Sequence, residues 1–97
     1  LSLGGKGVIS VLSNVLPKQT VEMCDKFFSG DIAGSAKIQL ELIPLINTLF
    51  CEVNPIPVKA AMAAMGWCEN YLRLPLTPME SQNEAKMLEI MKKQNLI

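Results

Sequence analysis

A chain of 97 residues has room for one small domain and buries roughly 60–65% of its unfolded surface on folding. Nine Lys and Arg balance nine Asp and Glu, and the single arginine, Arg73, offers no basic stripe to a phosphate backbone, which excludes nucleic acid as a partner. The apolar content of 49% is broken by charge, Pro or Gly well short of the ~20 residues a membrane span needs, so a soluble, cytoplasmic protein with no membrane partner is predicted.

The first element follows Gly4, Gly5 and Gly7. Val8 to Leu12 is a β-branched run without polar alternation, the pattern of a strand buried on both faces in a parallel sheet. Pro17 suits a first helical turn, and Val21, Cys24, Phe27 and Phe28 recur at helical spacing until Gly30 stops the helix. Asp31 is the expected N-cap of a second helix, whose apolar face carries Ile32, Ala36, Ile43, Ile46 and Phe50, with a bend at Pro44. Asn54-Pro55-Ile56-Pro57 ends it, and Pro57 opens a third helix from Val58 to Met65 that stops at Gly66.

From Trp67 to Leu76 the period is lost, and an ordered loop is predicted with Trp67, Tyr71 and Leu74 packed inward. Thr77-Pro78-Met79-Glu80 has the spacing of a capping box, and Ser81 to Glu84 offers a second register four residues later. The last helix carries Met87, Leu88 and Met91. At helical spacing the six methionines are expected as core filler rather than as a peptide groove or soft-metal site. Cys24, Cys51 and Cys68 form an odd set at wide spacing with no histidine in the chain, so buried free thiols are expected and no metal site.

One doubly buried strand has no neighbours here, and unpaired buried backbone groups are costly. Its strand-to-helix order is one βα unit of a larger α/β sheet or barrel. The start at Leu1 rather than Met fits the expectation that residues upstream, or a partner chain, supply the rest of the sheet.

Three segments carry a resemblance. Leu3-Gly4-Gly5-Lys6-Gly7-Val8-Ile9-Ser10-Val11 with Asn14-Val15, then Asn54-Pro55-Ile56-Pro57-Val58-Lys59, then Arg73-Leu74-Pro75-Leu76-Thr77-Pro78 resemble, in order, the GVIS, NPIPVK and RLPLTP segments of the dihydrodipicolinate synthase family of Schiff-base pyruvate aldolases. Together they cover nearly the whole chain. Related aldolases on the same fold, such as the N-acetylneuraminate lyases and keto-deoxy sugar acid aldolases, generally lack the second and third segments and stand as the alternative, beside a non-enzymatic helical interaction module. NPIPVK is itself chiefly a helix break and restart, and RLPLTP a loop and a cap.

The resemblance implies an α/β fold: residues 1–30 as the last βα unit of a (β/α)8 barrel and residues 31–97 as a helical C-terminal extension, so that this segment is mostly α. It implies a lyase of the diaminopimelate route to lysine. A barrel lysine forms an imine with pyruvate, and the derived enamine attacks L-aspartate-4-semialdehyde to give 4-hydroxy-tetrahydrodipicolinate, with no cofactor. The catalytic lysine and tyrosine match no residue here, so the segment alone is expected to be inactive. One substrate-binding position carries over: Ile9, as a border of the pyruvate pocket contacting substrate largely through its backbone. Family members are commonly homotetramers built as dimers of dimers, and Leu3 is expected at the weaker subunit contact.

Overall fold

The computed structural model describes residues 1–97. Its elements are a short 3-10 helix, Leu12–Asn14, and four α-helices: α1 (Pro17–Phe28), α2 (Ile32–Leu49), α3 (Ile56–Ala64) and α4 (Ser81–Lys93). Two compact units divide the chain, Leu1–Ile43 and Pro44–Ile97.

In the first unit the expected strand is absent. Residues 5–10 have no regular secondary structure, Leu12 belongs to the 3-10 helix, and Val8 and Ile9 are exposed rather than buried. A strand is defined by its ladder, and no other segment of this chain supplies one. Local polar chemistry shapes the turn instead. Ser10 Oγ accepts the Ser13 N–H at 3.0 Å, and Ser13 Oγ donates to the Ser10 carbonyl at 2.8 Å. The 3-10 helix then packs on α1, with Leu12, Val15 and Leu16 buried.

Pro17 occupies the start of α1 as expected, and Gly30 ends it. Gly30 has φ +93°, its N–H reaches the Phe27 carbonyl at 3.1 Å, and the Asp31 N–H reaches the Lys26 carbonyl at 2.8 Å. That pair of bonds is a Schellman motif, which needs a left-handed residue after the helix. Asp31 then serves twice, because its Oδ1 accepts the Gly34 N–H at 2.9 Å and caps α2. Ser35 Oγ donates to the Met23 carbonyl at 2.8 Å and ties α2 to α1.

The Asp31 carboxyl is held below its ordinary pKa, first by the Gly34 N–H, then by the hydrogen bond from Lys26. Because the folded-state pKa is depressed, this contribution to stability is present above the unfolded value of about 3.9 and is lost as pH falls through the folded value. Asp31→Ala is therefore expected to lower the melting temperature at pH 7, with the gap to wild type closing on acidification below about pH 4. A gap that stays constant into acid, measured by circular dichroism melts, would show that the charge of Asp31 contributes nothing.

Pro44 lies inside α2, which remains one helix from Ile32 to Leu49. In the second unit Leu45, Leu49, Met87 and Met91 are fully buried, and α3 packs on α4. Ala60 and Ala61 are buried on α3, and their small side chains permit a close approach. Of the six methionines expected as core filler, Met79, Met87 and Met91 are buried, whereas Met23, Met62 and Met65 are half-buried. Helix α3 starts two residues earlier than predicted, at Ile56, and ends in the same motif as α1, with Gly66 at φ +78° and bonds from Gly66 N–H to Ala63 and Trp67 N–H to Met62. The Asn54-Pro55 and Leu74-Pro75 peptides are cis.

Candidate functional site

Ile9, the one position carried over as a substrate contact, lies fully exposed on the irregular segment between Gly7 and Ser10. Two open hollows flank its neighbour Val8, each of about 340 Å³. One is lined by Ser10, Ser13, Thr20, Val21 and Cys24, the other by Leu1, Met23, Phe27, Ile32 and Ser35. Ile9 lines neither. Both are largely apolar, and neither is lined by a lysine.

No lysine of the chain is buried. Lys26 faces Glu22 and Asp31, Lys37 faces Glu41, and Lys93 faces Glu89 at 2.9 Å. Lys59, in the NPIPVK segment, donates from Nζ to the carbonyl of Tyr71 at 2.8 Å. No group of three or more Cys, Asp or Glu is placed to hold a metal. The thiols are free, but Cys51 and Cys68 are exposed and Cys24 is half-buried. The expectation of buried thiols fails because Cys51 follows the end of α2 and Cys68 follows the end of α3, beyond the helical faces that pack.

The loop that follows α3 departs from expectation in the same way. Trp67, Tyr71 and Leu74 are 53%, 65% and 88% exposed, not packed inward. Their unit is already filled by Leu45, Leu49, Met87 and Met91, and the chain has no further surface to cover them.

Helix α4 begins at Ser81 with Glu80 as N-cap, and no side chain within the Thr77–Glu84 stretch caps it. Neither expected capping box forms. Glu52, from the segment after α2, takes that role: its carboxylate accepts the Glu80 N–H at 3.1 Å and the Asn83 Nδ2–H at 2.9 Å. A negative charge at a helix N-terminus is favourable electrostatically as well. Losing a capping partner of this kind costs about 0.5–2 kcal/mol, so Glu52→Ala is expected to lower the unfolding free energy by that much. Thr77→Ala should change it by less than about 0.5 kcal/mol. Denaturant midpoints in which Thr77→Ala is the more damaging would reverse the assignment.

The family is settled by comparison. The model of the dihydrodipicolinate synthetase family matches residues 1–94, and the chain belongs to that family of barrel enzymes, whose C-terminal part it matches in structure. A 4-hydroxy-tetrahydrodipicolinate synthase of Alkaliphilus oremlandii is 58% identical over 94 residues, which are 97% of this chain and 32% of that protein. One of Lachnoclostridium phytofermentans is 53% identical over the entire chain and 33% of its own length. The crystal structure of dihydrodipicolinate synthase from Thermotoga maritima superposes with a TM-score of 0.96 at 48% identity, over 99% of this chain and 32% of that one. The synthase of Acinetobacter baumannii, solved in complex with pyruvate, gives 0.92 at 38% identity, over 98% of this chain and 33% of its own. The chain thus spans about a third of the length of the relatives it matches.

Proposed function

We propose that this chain works as the C-terminal third of a Schiff-base lyase that condenses pyruvate with L-aspartate-4-semialdehyde to 4-hydroxy-tetrahydrodipicolinate, in the diaminopimelate route to lysine. The observation that carries the reading is the 58% identity to a synthase along almost all of the chain. In this reading the catalytic amine comes from the other two-thirds. It attacks the ketone of pyruvate, water leaves, and the imine yields the enamine that forms the new carbon-carbon bond. The contribution of this segment is Ile9, at the border of the pyruvate pocket, together with the helices that support the barrel.

Residues 1–30 then form the closing βα unit of the barrel and residues 31–97 the extension. That boundary describes the whole barrel, whereas the compact units within this chain part at Pro44. The irregular, exposed stretch through Val8 and Ile9 becomes a strand once neighbouring strands offer it a ladder. The assembly proposed is a cytoplasmic homotetramer.

A chimera tests this. Residues 1–94 replace the aligned third of the Alkaliphilus oremlandii synthase, and condensation is assayed with pyruvate and L-aspartate-4-semialdehyde. Turnover within about tenfold of the parent is expected, a barrier change under about 1.4 kcal/mol. A chimera that folds and assembles like the parent yet is inert would refute the reading.

A further inference from the structure

NPIPVK and RLPLTP are the most distinctive segments of the chain, and the chemistry proposed above uses neither. The structure joins them through one side chain. Lys59 closes NPIPVK and sits between the buried Val58 and Ala60 on α3, with its own N–H bonded to the Pro55 carbonyl at 3.1 Å. From there its Nζ reaches the Tyr71 carbonyl at 2.8 Å, two residues ahead of Arg73, where RLPLTP begins.

The stretch from Trp67 to Leu76 contains no helix or strand. Its internal backbone bonds are short-range: Tyr71 N–H to the Glu69 carbonyl at 2.9 Å and Leu76 N–H to the Arg73 carbonyl at 3.0 Å. Trp67, Tyr71 and Leu74 are exposed, Leu72 and Leu76 are only half-buried, and none of its large apolar side chains is in the core. A segment with few buried contacts opens locally at low cost unless something outside it holds it. A lysine suits that task, being a cation with three donors on a stem that reaches across from a packed helix.

We propose that Lys59 is a positioning clamp: its ammonium holds the Tyr71 carbonyl and thereby keeps in one conformation the Trp67–Leu76 loop, which runs into RLPLTP. NPIPVK then has a physical task, to break the chain, restart it as α3 and aim Lys59 at the loop. The lysine acts on the backbone of this chain and not on a substrate. The proposal stands independently of the synthase reading, because its readout is the order of a loop and not an activity.

Amide hydrogen exchange followed by mass spectrometry on the full-length chimera tests it, with Lys59→Met, which keeps the stem and removes the donor, and Lys59→Arg, which keeps charge and donors. Lys59→Met is expected to speed exchange of the Tyr71 and Leu76 amides by about tenfold or more, the scale of one charged hydrogen bond, and to leave α4 unchanged. Lys59→Arg should retain most of the protection. Equal loop rates in Lys59→Met and wild type overturn the clamp. So does an acceleration spread evenly over α3, the loop and α4, which makes Lys59 a general support of the unit. A wild-type loop that already exchanges like an unstructured peptide overturns it too.

Discussion

Leu3→Asp, introduced into the full-length chimera, is expected to split the proposed tetramer into dimers at low protein concentration. Leu3 is fully exposed here, as is Ile9, while Val8 is half exposed. An apolar side chain gains nothing from water, and in the proposed assembly a neighbouring subunit covers Leu3. If Leu3 sits at a subunit contact, an aspartate there becomes a buried charge without a partner. Such a charge costs about 3–5 kcal/mol, which is roughly a 10²- to 5 × 10³-fold rise in dissociation constant. Sedimentation velocity across a dilution series reads this directly. A tetramer that survives dilution as well as the parent removes Leu3 from the interface.

Helix ends were the most legible part of the fold, because their chemistry is local. Gly30 and Gly66 stop α1 and α3 where the sequence puts them, since only a left-handed residue lets the Schellman bonds close. The third motif of this kind, at the end of α4, rests on Asn95 at φ 56°, with bonds from Asn95 N–H to Lys92 and Leu96 N–H to Met91. Asparagine tolerates that conformation better than most residues, and its position past Lys92 and Lys93 was a signal available in the sequence. Asp31 was legible as a cap for the same local reason.

What failed was whatever depends on partners distant in sequence. The Val8–Leu12 run has strand composition, but composition specifies only what a ladder will accept, and no ladder exists within these 97 residues. Thr77 has the spacing of a cap, yet α4 starts four residues later under the carboxylate of Glu52, which lies 28 residues before Glu80. No local pattern announces such a pair. Trp67, Tyr71 and Leu74 were expected inside because they are large and apolar, a rule that holds only when the chain has enough surface to enclose them. The covalent site enters only through the resemblance, which implies a catalytic lysine and tyrosine outside this segment.

The largest effect expected is all-or-none: with pyruvate and borohydride, the full-length chimera gains one reduced adduct and the 97-residue chain gains none. Imine formation needs a neutral amine, whereas an ordinary lysine, with a pKa of about 10.4, is almost wholly protonated at neutral pH. Burial or a nearby positive charge removes that proton at lower pH. No lysine of this chain is buried, Lys26, Lys37 and Lys93 face carboxylates, and Lys59 is committed to a carbonyl. Any imine formed in passing on such a side chain is hydrolysed before it accumulates, so hydride has no C=N bond to reduce to a stable secondary amine. In the proposed mechanism the chimera supplies an activated amine from the barrel interior, and reduction traps it. Intact-mass measurement distinguishes the two outcomes, and digestion locates the adduct. A stoichiometric adduct on the isolated chain would show that one of its own lysines is activated, and would overturn the assignment of the catalytic amine to the other two-thirds of the protein.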